Sequence, residues 1–142
     1  MSRDVNLTND GSGMTNLEIM RHAERLKLRN FKYFMRDEFI NKSPDKFEMG
    51  IVNLDDKANS GTHHTCYYKN GDVKYFFDSY GAAPPKEPIA YLKSPILYST
   101  YMIQGFNQTN CSEWSLFVLN RLNKGEDFID VILEIIQKHD IY

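Results

Sequence analysis

Four residues able to take part in acyl-transfer chemistry occur in this 142-residue chain in the order His63, Asp78, Gln104, Cys111. A thiol attacks a carbonyl as its thiolate. An imidazole steadied by a carboxylate can take the thiol's proton and later give it to a leaving amine. Cys111 follows the polar stretch Gly105-Phe106-Asn107-Gln108-Thr109-Asn110 and opens an apolar run. It therefore stands at the entrance of a predicted helix. The positive end of the helix dipole and its unpaired backbone N–H groups favour thiolate there, and the same groups can hold a developing oxyanion. Gln104 closes a predicted strand and would bring a side-chain amide donor to that hole.

A hairpin must bring the imidazole to the carboxylate. Asn70-Gly71 between Thr62–Lys69 and Asp72–Asp78 is a strong short-range turn signal. A two-residue turn there sets Lys69 opposite Asp72, Tyr67 opposite Lys74 and, at the far end, His63 opposite Asp78. Opposed side chains lie within hydrogen-bonding reach. His64 falls on the other face opposite Phe77, with Cys66, Tyr68 and Tyr75. That face is the more apolar and is expected to turn to the core. A bulged three-residue loop would slide the register by one and pair Asp78 with Thr62 instead.

Each of these residues also has a plainer reading. Asp78 can simply start a turn with Ser79-Tyr80-Gly81, His63 can be an exposed strand end, and Cys111 a small buried helix residue. Cys66, on the inward face, reads as structural. His63-His64-x-Cys66 is a poor metal site, because adjacent strand residues point to opposite faces and no second ligand pair has zinc-like spacing. Asp55-Asp56 and Arg36-Asp37-Glu38 read as exposed loop charge. Nothing in the residues calls for a metal or an organic cofactor.

The surrounding elements read as α+β. A capping box at Thr15 and Glu18 opens a helix over about 15–28. Phe31–Phe39 is aromatic-rich and ambiguous. Strands are predicted over 49–54, the two hairpin arms and 95–104, with a short helix around 89–93. Helices follow over 111–122, ended by Gly125, and over about 126–138. The result is a small mixed or antiparallel sheet flanked by helices, in one domain over 14–142, after a flexible polar lead-in over 1–13. The net charge of −2 leaves no footprint for nonspecific nucleic-acid binding. No apolar run reaches the roughly 18 residues of a membrane helix, and the first residues lack a signal-peptide core. Two cysteines make no disulfide framework, so an intracellular setting with free thiols is expected.

Taken in order, Gly61-Thr62-His63-His64, Phe77-Asp78-Ser79-Tyr80-Gly81 and the run Gln104 to Cys111 resemble the adenovirus maturation protease (adenain) family. The nearest likeness is to the cysteine proteases of virophages and Maverick/Polinton elements. The order His, Asp, Gln, Cys is that of the clan, which also holds SUMO-specific proteases. Six residues separate Gln104 from Cys111, as in adenain. Phe34-Met35-Arg36-Asp37-Glu38, Gly50 to Asp56 and Pro84-Pro85-Lys86-Glu87 extend the similarity over about 15–130. His64 stands where the family usually has an aromatic residue, and Ser112 where it usually has glycine.

The resemblance implies an adenain/SUMO-protease-like fold with Cys111 as nucleophile and His63 as general base. Asp78 would orient the imidazole, and Gln104 would serve the oxyanion hole with the Cys111 N–H. It implies cleavage of viral capsid or precursor proteins at small-residue, Gly-rich sites during virion maturation, in the infected cell and within the particle. Adenain uses a disulfide-linked viral peptide and DNA as cofactors. This chain has no spare cysteine for such a link and no basic surplus, so its need for a peptide activator should differ or be absent. Two other readings remain. One is a protease for ubiquitin-like modifiers. The other is a protease-derived binding or scaffold protein of little activity.

Overall fold

The structure, a computed structural model, describes residues 14–55, 63–103 and 111–140. The expected lead-in over 1–13 and Gln104 lie outside the described residues. Five strands form one sheet in sequence order: β1 Phe31–Met35, β2 Phe47–Asn53, β3 His64–Asn70, β4 Val73–Phe77 and β5 Leu97–Tyr98. The three central strands are antiparallel, and β1 and β5 join as parallel edges. The parallel connections pass through a 3-10 helix, Arg36–Phe39, and through helix α2, Lys86–Leu92. Helices α1 Asn16–Arg25, α3 Cys111–Asn123 and α4 Phe128–Asp140 complete the α+β fold. Among the described residues no helix is long and apolar enough to cross a membrane.

Both faces of the sheet are covered. Ile51, Cys66 and Phe77 face α1, α3 and α4, where Ile19, Leu116, Leu119 and Val131 are buried. Val52, Tyr67 and Phe76 face the other way, against Phe34, Phe39, Tyr91 and Leu92. This explains the ambiguity of 31–39. A strand that packs on both faces loses its polar alternation, and Phe34 is buried in one core while the half-buried Phe31 and Tyr33 pack against the other. The capping box forms as read, with Glu18 N–H donating to Thr15 Oγ1 at 3.2 Å and Thr15 N–H to Glu18 Oε1 at 3.0 Å. Gly125 ends α3 with φ +90°. The last strand is far shorter than expected, since only Leu97 and Tyr98 pair with β4.

The hairpin register differs from the sequence expectation by two residues. Asn70 pairs with Val73, Lys69 with Lys74, Tyr67 with Phe76 and Cys66 with Phe77. Gly71 leads the turn with φ +61°, and Asp72 is not in the positive region, the sign pattern of a II′ turn. The cause is tertiary. Asn70 is held in β3 opposite Phe47 of β2, and Gly71 N–H donates to Lys46 O at 2.8 Å. A shift of two keeps every side chain on its expected face. His64 therefore does lie on the Cys66 face, although Phe77 stands opposite Cys66 and not opposite His64.

Candidate active site

His63 immediately precedes β3 and Asp78 immediately follows β4. The direct opposition expected for them does not form. In the observed register Asp78 lies diagonally from His63, on the same face, and Tyr80 takes the position opposite. Both contacts are made. His63 Nε2 is 2.8 Å from Asp78 Oδ1, and the Tyr80 ring stacks on the imidazole at 4.4 Å with planes 16° apart. The two readings of Asp78 are thus not alternatives. The same Oδ1 accepts the Tyr80 N–H at 2.8 Å, and Asp78 O accepts the Gly81 N–H at 2.8 Å. Gly81 holds φ +75°, and a Cβ there would lie 2.5 Å from Thr100 O. The turn is therefore fixed by backbone and packing, and it aims a carboxylate that is itself buried.

Cys111 is the first residue of α3 and is buried. Its Sγ accepts the His64 backbone N–H at 3.2 Å, and Ser115 Oγ donates to His64 O at 3.5 Å one turn further on. The start of α3 is thereby registered against the start of β3. The buried Nδ1 of His63 has no well-aligned hydrogen-bond partner among the described residues. Cys111 is nevertheless close enough to raise the ring's proton affinity. Burial works against a charge on His63. The hydrogen bond and charge of Asp78, with the sulfur of Cys111, outweigh it and raise the imidazole to about 9. Cys66 lies in the core, where burial pushes its thiol up and out of reactive range.

The residues that sequence reasoning did not assign to this site are His64, Tyr33 and Asn53. His64 is buried, with Nδ1 at 3.8 Å from Cys111 Sγ and Nε2 at 3.2 Å from Tyr33 Oη. Asn53, opposite His64 in the β2–β3 register, donates from Nδ2 to Tyr33 Oη at 3.3 Å. Burial first, and then the neighbouring His63 charge, lower His64 from 6.5 to about 4. The two adjacent histidines are thus driven in opposite directions. One favours its cation, and the other stays neutral.

This has a consequence for stability. A group raised above its unfolded value stabilises fully below that value and loses its contribution as pH rises through the folded value. For His63 that window runs from 6.5 to about 9. A depressed histidine does the reverse, so the His64 contribution is complete above 6.5 and is lost as pH falls toward about 4. A shift of this size corresponds to roughly 3 kcal/mol. Melting curves for the parent and His64→Phe should show the parent losing more stability between neutral pH and pH about 4. Parallel curves would show that His64 is not kept neutral by the fold.

No protein-family model and no curated protein sequence matches the chain. Solved structures do. The crystal structure of the ASFV pS273R protease matches with a TM-score of 0.55 at 17% identity, covering 90% of this chain and 62% of that one. A second, Se-Met structure of that protease gives 0.56 at 15%, covering 97% and 70%. HopZ1a in complex with IP6 matches at 0.50 and 12%, covering 77% and 44%. The chain spans less than two thirds of the first of these structures. The matches show the fold, an α+β arrangement of the cysteine-protease type.

Proposed function

We propose that the chain is a cysteine endopeptidase that cleaves capsid or precursor proteins of a virus or virus-like element, as the adenain-like resemblance implies. One observation carries the reading. His63, bonded to Asp78 at 2.8 Å, adjoins the thiol that opens α3, in a fold shared with a viral cysteine protease. The thiolate of Cys111 attacks the scissile carbonyl carbon. His63, charged through Asp78, gives its proton to the leaving amine, and a thioester to Cys111 remains. The neutral imidazole then takes a proton from water, whose oxygen attacks the thioester. The acid product leaves, and the thiolate–imidazolium pair returns. Gln104 and the Cys111 N–H are assigned to the oxyanion. The same reading places the enzyme in infected cells and in the virion, with Gly-rich cleavage sites and no membrane partner.

A peptide ending in Gly-Gly and carrying a thiol-reactive electrophile at its C-terminus tests this reading. Mass spectrometry should find the adduct on Cys111 and none on Cys66. No adduct, or equal modification of both thiols, would overturn the peptidase reading. Preferential cleavage of a Gly-Gly-ended modifier precursor over capsid protein would instead support the modifier-protease alternative.

A further inference from the structure

The chain of hydrogen bonds behind Cys111 has a direction that one backbone group sets. Asp55 N–H can only donate, and it donates to Asn53 Oδ1 at 3.0 Å. That assigns the other end of the Asn53 amide as Nδ2, a double donor. Nδ2 donates to Tyr33 Oη at 3.3 Å, leaving the single phenolic proton for His64 Nε2 at 3.2 Å. An Nε2 that accepts puts the proton of a neutral ring on Nδ1. Nδ1 is the atom that faces Cys111 Sγ at 3.8 Å, within reach of sulfur's larger radius. Read from the other end, a thiolate only accepts, so it selects the same tautomer.

We propose that His64 is a second hydrogen-bond donor to the Cys111 thiolate, held in its Nδ1–H form by Tyr33 and Asn53. The proposal rests on the peptidase reading, in which Cys111 reacts as its thiolate. His64 then touches the reacting atom, while Tyr33 and Asn53 are positioning residues. Two donors from one residue, its backbone N–H at 3.2 Å and its ring Nδ1, converge on Sγ. Neither transfers a proton and neither carries charge, because burial and the adjacent His63 keep the ring neutral. The thiolate thus keeps hydrogen-bond donors that do not depend on the protonation of His63. A phenylalanine at this position would have no such proton to offer.

The test isolates these donors by removing the imidazolium. In a His63→Ala background, Cys111 alkylation by iodoacetamide near neutral pH is followed by mass spectrometry. Protected Cys66 reports that each variant is folded. Adding His64→Phe should slow alkylation about fivefold. A hydrogen bond to charge sets the thiolate share, and the more basic thiolate recovers part of the loss. His64→Asn, whose amide nitrogen can stand where Nδ1 stands, should keep the rate within about twofold. Tyr33→Phe should slow it severalfold without touching sulfur, and it replaces His64→Phe as the deciding variant if that protein does not fold. An unchanged rate in the deciding variant would overturn the proposal, as would His64→Asn as slow as His64→Phe. Alkylation needs no substrate. A protein that responds as expected but cleaves nothing overturns the peptidase reading alone. One that cleaves its substrate yet is indifferent to His64 overturns this inference alone.

Discussion

On the proposed peptidase reading, Cys111→Ala should abolish cleavage of the cognate protein, a loss of at least about 10⁴ in kcat, and His63→Ala should cost nearly as much. The two act as one unit, so the double variant should be little worse than either single one. Cys111 is buried, and alanine there removes one sulfur from the start of a helix that is otherwise well packed. The variant should therefore fold, and the loss can be read as chemistry. Asp78→Asn behaves differently. Its carbonyl oxygen can still accept both the Tyr80 N–H and a His63 N–H, so the turn survives. What goes is the negative charge that helps raise His63 to about 9. In the parent, kcat should fall as pH rises through about 9, where His63 loses the proton it must donate. In Asp78→Asn that alkaline limb should move to lower pH. Profiles of kcat against pH for both proteins check this, and an unmoved limb would separate Asp78 from the imidazole's proton affinity.

How this site was legible in the sequence turns on parity. The hairpin register was read two residues away from its true value, because Asn70 is claimed by β2 and not by the turn. Side chains alternate with a period of two, so that error left His63 and Asp78 on one face. A slip of one would have separated them. Cys111 was legible for a different reason, a polar stretch meeting an apolar helix. His64 was placed on the correct face but given no role. Local patterns cannot say which strand residue meets the first residue of a helix that follows 47 positions later in the chain. That meeting depends on α3 packing across β3. Tyr33 was hidden because β1 packs on both faces, with aromatic residues toward each. Gln104 stays an expectation from its place before Cys111.

Glu48→Ala should lower stability by about 3–5 kcal/mol. The sequence reading began this strand at Met49 and left Glu48 outside it, yet Glu48 is fully buried within β2. Its Oε2 accepts from Tyr67 Oη at 2.5 Å and Tyr91 Oη at 2.6 Å. Its Oε1 accepts from Lys32 Nζ at 3.1 Å and Asp45 N–H at 2.7 Å. One carboxylate therefore ties β1, β3, α2 and the loop before β2 together. Burial first, and then Glu48, push both phenols up. Truncation leaves two phenolic hydroxyls without their acceptor among Phe34, Phe39, Phe76 and Leu92. Glu48→Gln should cost less, about 2 kcal/mol, because its carbonyl can still serve both phenols. Its amide N–H groups then face the Lys32 and Asp45 donors, so recovery is partial. Urea unfolding should show the midpoint falling in the order parent, Gln, Ala with the slope unchanged. Cys111 packs from the opposite face of the sheet, so its alkylation rate in the folded variants should equal the parent's. Unfolding free energies within about 0.5 kcal/mol of the parent would mean that the tyrosines find other acceptors and Glu48 is dispensable.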